Sequence, residues 1–132
     1  MDVTAPGKPA AQDDPLFAVD AEYTGGCVRL ALRGELDVAT VAVLDDELRR
    51  AWSHDIRRVE IDLRDLTFMG SAGVAAILEA NARASAVGCA LTLVRGGERV
   101  HRIFELTGIE DQFAFRPDAA RPARDGPVGV VG

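Results

Sequence analysis

The order of hydrophobic rhythms along this chain constrains its fold more than any other feature. Phe17-Ala18-Val19-Asp20-Ala21-Glu22-Tyr23 alternates apolar and polar side chains, the period of a half-buried strand. Gly25-Gly26 marks a turn, and residues 27–33 alternate again with Val28, Leu30 and Leu32 on one face. Then the period changes. Val41, Leu44, Leu48, Ala51 and Trp52 recur at helical spacing, while Asp45, Asp46, Glu47, Arg49 and Arg50 take the remaining positions. Residues 59–63 return to strict alternation, with Val59, Ile61 and Leu63 together and the carboxylates Glu60 and Asp62 expected in solvent, like Asp65. Leu66-Thr67-Phe68-Met69 and Gly70-Ser71-Ala72-Gly73 lead into an alanine-rich helix reaching about Ala86. A short apolar strand covers residues 90–94, a last helical stripe runs through Val100, Ile103, Phe104 and Thr107, and residues 113–115 suit an edge strand. Strands separated by helices need crossover connections. The pattern therefore predicts an α/β fold: a mixed, mostly parallel sheet with an N-terminal hairpin, packed against helices mainly on one face.

Punctuation agrees with this reading. Gly34 is expected to break the second strand, and Asp37 or Thr40 to cap the first helix through a side-chain oxygen. Gly88 and Gly108 suit the left-handed residue that closes a helix, the latter followed by Ile109 folding back. In the long helix Val74, Ile77, Leu78, Ala82 and Ala84 share one side, opposite Glu79 and Arg83. Asn81 falls within the apolar side, where its amide is expected to bond backbone. Residues 1–14 lack periodicity and read as a flexible arm; residues 117–132, with three of the six prolines, read as a disordered tail. One domain over residues 15–116 remains.

Charge narrows the partners. The formal net charge is −6, and the short pairs Arg49-Arg50 and Arg57-Arg58 each stand beside acidic residues. Without a basic stripe to neutralise phosphates, neither nucleic acid nor an anionic membrane surface is an expected partner. The first residues lack the order of a secretory signal, and no apolar run approaches the ~20 residues that span a bilayer. Cys27 and Cys89 have no further Cys or His at ligand spacing, so no metal or other cofactor is expected. Both read as small buried hydrophobes of a reducing cytoplasm.

Enzymatic readings find little support. A nucleophile elbow at Ser71 would need glycine where Met69 stands, and the two histidines, His54 and His101, read as surface and partly exposed helix positions. A serine hydrolase using Ser71 therefore stands well behind a binding protein. There is no phosphate-binding loop of either common type. Gly96-Gly97 beside Arg95 and Arg99 reads as a turn, although it could hold an anion.

Binding sites in α/β sheets gather where strand C-termini feed helix N-termini. Two junctions here are distinctive: Gly34-Glu35-Leu36-Asp37 and Phe68-Met69-Gly70-Ser71-Ala72-Gly73-Val74. Together with Asp62-Leu63, Leu66-Thr67, Leu106-Thr107-Gly108-Ile109 and Phe113, they make residues 17–115 resemble the STAS domain of bacterial anti-sigma factor antagonists. The resemblance implies a STAS (SpoIIAA-like) fold and a cytoplasmic, non-enzymatic regulator. Such a protein binds a serine-kinase-type anti-sigma factor and releases the sigma factor it holds. It is switched off when the kinase phosphorylates a hydroxyl at the start of the long helix.

The switch departs from the family's usual Asp-Ser-Ser/Thr-Gly. Gly70 replaces the acidic residue and Ala72 the acceptor, so the expected phosphorylation has no oxygen to act on. Ser71 remains as a substitute acceptor, but it matches the family's non-acceptor serine and is expected to cap the helix. The expected partner surface comprises Glu35, Asp37 and Thr40 from one junction and Gly70, Ser71, Ala72 and Gly73 from the other. The exposed alanine-rich side around Ala75, Ala76, Ala86 and Val87 could extend it. STAS-like proteins also serve as accessory subunits of lipid-transport ATPases or as scaffold parts, which is the alternative reading.

Overall fold

The computed structural model describes residues 16–116, so the expected arm over residues 1–14 and tail over residues 117–132 lie outside it. Strands β1 (Phe17–Thr24) and β2 (Cys27–Leu36) form an antiparallel hairpin. β3 (Arg58–Met69), β4 (Ala90–Val94) and β5 (Ala114–Arg116) follow in spatial order, each parallel to its predecessor. Helices α1 (Val41–Trp52), α2 (Ser71–Ala86) and α3 (Glu98–Leu106) make the crossovers, and a short 3-10 turn, Glu110–Gln112, leads to β5.

The sequential strand order explains the layering. Crossovers between parallel strands are almost always right-handed, and a sheet that grows in one direction puts every such helix on the same side. Val28, Val59 and Leu91 lie abreast, as do Leu30, Ile61 and Leu93. They share one core cluster with Leu44, Leu48 and Ala51 of α1, Ile77 and Ala80 of α2, and Val100 and Phe104 of α3. The fold class read from the sequence is the one observed.

Several local expectations are corrected. Gly34 does not end β2: it takes φ +98 inside the strand, where the register against β3 shifts. A side chain there would meet Leu16 O at 2.1 Å, so the residue makes a bulge that lets the first strand's entry pack closely. Likewise, residues 59–63 and 66–69 belong to one strand, because β2 continues past its bulge and offers pairing as far as Leu36↔Met69. In α2 the buried side runs through Gly73, Val74, Ala76, Ile77, Ala80 and Ala84; Ala82 is exposed and Leu78 half-buried. Small alanines tolerate either side, so hydropathy alone misplaces the seam. Asn81 behaves as expected, its amide donating to Gln112 O at 3.1 Å. Cys89 is buried and Cys27 half-buried, both as free thiols; burial, then the neighbouring Cys27, pushes the Cys89 thiol up.

The largest correction concerns the sheet face away from the helices. Glu60 and Asp62 are not solvated: they are 8% and 4% exposed. Asp62 Oδ2 accepts from Arg29 Nη2 at 2.9 Å and Arg64 Nη2 at 2.8 Å, while Oδ1 accepts from Arg64 Nε and the Arg64 backbone N–H, both at 3.0 Å. Glu60 pairs with Arg116 and stands 3.9 Å from Arg29 Nε. Arginine stems lie across the strands and cover the carboxylates they neutralise. Burial raises the Asp62 carboxyl, but the Arg64 and Arg29 hydrogen bonds outweigh it and hold the group well below the usual carboxylate range.

Candidate functional site

The C-terminal ends of β2 and β3 lie side by side, Glu35 against Phe68 and Leu36 against Met69. This pairing brings the two distinctive junctions of the sequence into one place. Gly70 N–H donates to Leu36 O at 2.9 Å and ties the second turn to the end of β2. α2 then starts directly against the strand ends. A side-chain carbon on Gly73 would stand 2.8 Å from Leu36 Cγ and 3.0 Å from Met69 Cγ, so only glycine permits this approach. One at Gly70 would meet the Phe68 ring at 3.3 Å and Asp37 Cβ at 3.8 Å, which places Asp37, Phe68 and Gly70 together.

The seven residues expected at the partner surface divide into two groups. Glu35 and Ser71 are exposed, and Asp37, Gly70 and Ala72 are half-buried at the rim. Thr40 and Gly73 are buried and hold the site from within. The Thr40 hydroxyl donates to Glu35 O at 2.7 Å and accepts the Asp37 N–H at 3.0 Å, while Asp37 Oδ1 accepts the Ala39 N–H at 2.9 Å. These bonds shape the turn before α1, so neither residue caps that helix through its side chain, contrary to expectation. The reason is geometric. Thr40 sits at the N-cap position with helix-like torsions (φ −115, ψ −8), and its hydroxyl is engaged backwards along the chain.

Ser71 is also corrected. Gly70, in extended conformation, is the N-cap of α2, and no side chain caps this helix. Ser71 is the first helical residue, one position too late for its hydroxyl to serve the N2 or N3 backbone N–H. It is therefore an exposed hydroxyl with no capping role.

Two surface residues were not among those expected at the partner surface. Val38 is 82% exposed in the turn before α1, and Phe68 is 44% exposed at the end of β3. They put apolar area beside the small residues of the turn, which suits a protein contact better than a small-molecule pocket. Val38 could have been noticed, since it is an apolar residue outside the helical stripe. The side taken by Phe68 could not, because the irregular register against β2 breaks the alternation before it. From Ala72 an open groove continues between α1 and α2, lined by Val41, Asp45, Ala75, Ala76, Leu78 and Glu79. Burial, then the Glu79 carboxylate, pushes the Asp45 carboxyl up.

Both histidines are engaged elsewhere in the fold. His54 Nδ1 lies 2.9 Å from Arg50 O with its ring against Tyr23, and His101 is buried with Nε2 2.7 Å from Glu110 Oε2. His101 was expected to be partly exposed; contacts with Phe115 and Phe104 enclose it instead. At the other glycine pair, a side chain on Gly96 would meet Leu63 O at 2.6 Å. Close backbone approach explains that residue without an anion. No helix among the described residues is long and apolar enough to cross a membrane.

The same architecture recurs in solved structures. The anti-sigma factor antagonist SpoIIAA in its unphosphorylated form superposes with a TM-score of 0.69 at 23% identity, covering 87% of this chain and 100% of that one. The Bacillus cell fate determinant SpoIIAA in its phosphorylated form gives 0.61 at 23% identity, covering 75% and 91%. An anti-sigma factor antagonist from Mycobacterium paratuberculosis gives 0.65 at 20% identity, covering 88% and 95%. At these identities the likeness establishes the fold. The family follows from the sequence match: the model described as "Mlab, STAS domain" covers residues 19–117, three quarters of the chain, and the protein therefore belongs to the STAS domain family.

Proposed function

We propose that this protein is an anti-sigma factor antagonist that binds a kinase-type anti-sigma factor, and so releases its sigma factor, without the usual phosphorylation switch. The observation that carries the reading is the surface around the α2 turn. There Val38, Phe68, Ser71 and Ala72 combine exposed apolar area with residues small enough for a partner backbone to approach. Membership of the STAS family and its likeness in fold to known antagonists support the partner class. The single domain over residues 15–116 would carry the whole contact, acting in the cytoplasm and without catalysis.

Ala72 makes this antagonist constitutive. A phosphate at the second residue of a helix would face unpaired backbone N–H groups, which tolerate it, but would bring about two negative charges to the contact. Alanine cannot receive it. Incubation of the protein with its captured kinase partner and ATP should leave residues 70–73 unmodified by mass spectrometry, with complex formation unchanged. A stoichiometric phosphate on Ser71 together with loss of the complex would show a displaced switch instead.

Ala72 also favours a second reading. Without an acceptor hydroxyl nothing in the turn demands a kinase, and the same surface could seat the protein on a lipid-transport ATPase or in a scaffold. Affinity capture of the tagged protein from native cytosol and membrane fractions separates the two. A small ATP-binding kinase-like protein supports the antagonist; a transporter ATPase supports the alternative.

A further inference from the structure

We propose that the corner between α3 and the Glu110–Gln112 turn is a binding site for a divalent transition-metal ion of the zinc class, with His101, Glu105 and Glu110 as ligands. His101 and Glu105 are one helical turn apart on α3, and the 3-10 turn brings Glu110 back to the same place. One ligand atom from each residue lies within 4.8 Å of the others. His101 Nε2 is 2.7 Å from Glu110 Oε2 and 4.0 Å from Glu105 Oε2.

These separations bracket the requirement of a metal. Ligands about 2.0–2.1 Å from zinc at tetrahedral angles stand roughly 3.4 Å apart. Glu110 would retreat by about 0.7 Å and Glu105 approach by about 0.6 Å, which two exposed or half-exposed carboxylates can do by side-chain rotation. The imidazole, by contrast, is already held. It is 2% exposed, with its ring edge-on to Phe115 at 5.0 Å between centroids and tilted against Phe104 at 6.0 Å. A rigid nitrogen donor facing two adjustable oxygen donors is a preorganised half of a site.

The donor set selects the ion. An imidazole nitrogen with two carboxylates suits zinc and its neighbours, whereas magnesium and calcium favour oxygen-only shells. Charge argues the same way, since two carboxylates meet one imidazole and a divalent ion would balance their two negative charges. Three protein ligands leave a fourth position for water or an external donor. Binding puts the metal on Nε2 and the ring proton on Nδ1, which is buried and has no hydrogen-bond partner among the described residues. A ligating histidine without an acceptor on its second nitrogen binds some 10- to 100-fold more weakly than a fully supported one. Affinity roughly 10- to 100-fold below that of a fully supported site is therefore expected.

The test is calorimetric titration of the tag-free full chain with zinc chloride at pH 7 in a non-coordinating buffer. One ion per chain should bind, with magnesium chloride giving no saturable signal. Glu105→Gln and Glu110→Gln should each weaken binding at least tenfold while leaving the circular dichroism spectrum unchanged. Both side chains reach solvent, so these variants fold even where the buried-ring variant His101→Ala does not. Absence of saturable zinc binding, or zinc binding unaffected by both substitutions, overturns the proposal.

Discussion

Ala72→Asp should weaken binding of the captured partner by about 100-fold or more while leaving the fold unchanged or slightly more stable. The two effects separate because the residue has two surroundings. Within the chain, Ala72 is the second residue of α2, half-buried at the rim of the groove. A carboxylate in the first turn of a helix interacts favourably with the macrodipole, by about 0.3–1 kcal/mol at an exposed position. Across the proposed interface, the same charge would be desolvated against a partner surface that otherwise meets a neutral alanine. An unpaired charge trapped in an interface costs roughly 2–5 kcal/mol, and 2.7 kcal/mol corresponds to about 100-fold in Kd. The readouts are the dissociation constant by calorimetry and the melting temperature. Normal binding with an unchanged melting temperature would move the interface away from the α2 turn. The variant also mimics about half of the charge that phosphorylation would bring in a relative carrying a hydroxyl at this position.

Asp62→Ala should destabilise the fold by roughly 3–5 kcal/mol, the usual consequence of removing one partner from a buried ion pair. The carboxylate accepts from both Arg29 and Arg64, whose side chains are 13% and 8% exposed, and its loss leaves two guanidinium groups largely out of water. For a domain of this size the melting temperature should fall by roughly 12–20 °C. The pH dependence gives an independent check. The folded state holds the Asp62 carboxyl below its ordinary value, so the group contributes stability above an unfolded pKa near 3.9. That contribution is lost as pH falls below about 4, through the lower folded value. The gap between wild type and Asp62→Asn should therefore be full at pH 7 and narrow progressively below pH 4. An equal gap at pH 7 and pH 3 would mean that packing, rather than charge, accounts for the loss.

The difference between the two sheet faces shows how far sequence reasoning reaches. Alternation through Val28, Leu30 and Leu32, and again through Val59, Ile61 and Leu63, gives element type, face and helical crossovers, because these follow from the periods of backbone geometry. It cannot say that Glu60 and Asp62 lie under Arg29, Arg64 and Arg116. Arg64 is two residues along the same strand, but Arg29 and Arg116 come from β2 and β5, and their meeting with the β3 carboxylates depends on register. His101 is the same case in a helix: its burial depends on Phe115, which arrives from β5.

The candidate site divides in the same way. Sequence alone determined an α/β chain with a hairpin and crossovers, two short junctions of unusual composition, and a missing hydroxyl at position 72. Each of these is either a local period or the identity of one residue. Only the tertiary structure decided that the two junctions form one surface, because the parallel pairing of β2 with β3 joins residues more than thirty positions apart. It also decided that Thr40 and Gly73 are buried while Val38 and Phe68 are exposed, since the Thr40 hydroxyl bonds back to Glu35 O, Gly73 packs on Leu36 and Met69, and register shifts of β2 against β3 precede Phe68. Local propensity chooses the element; which side chains reach a partner is chosen by register and packing, which exist only once the chain has closed on itself.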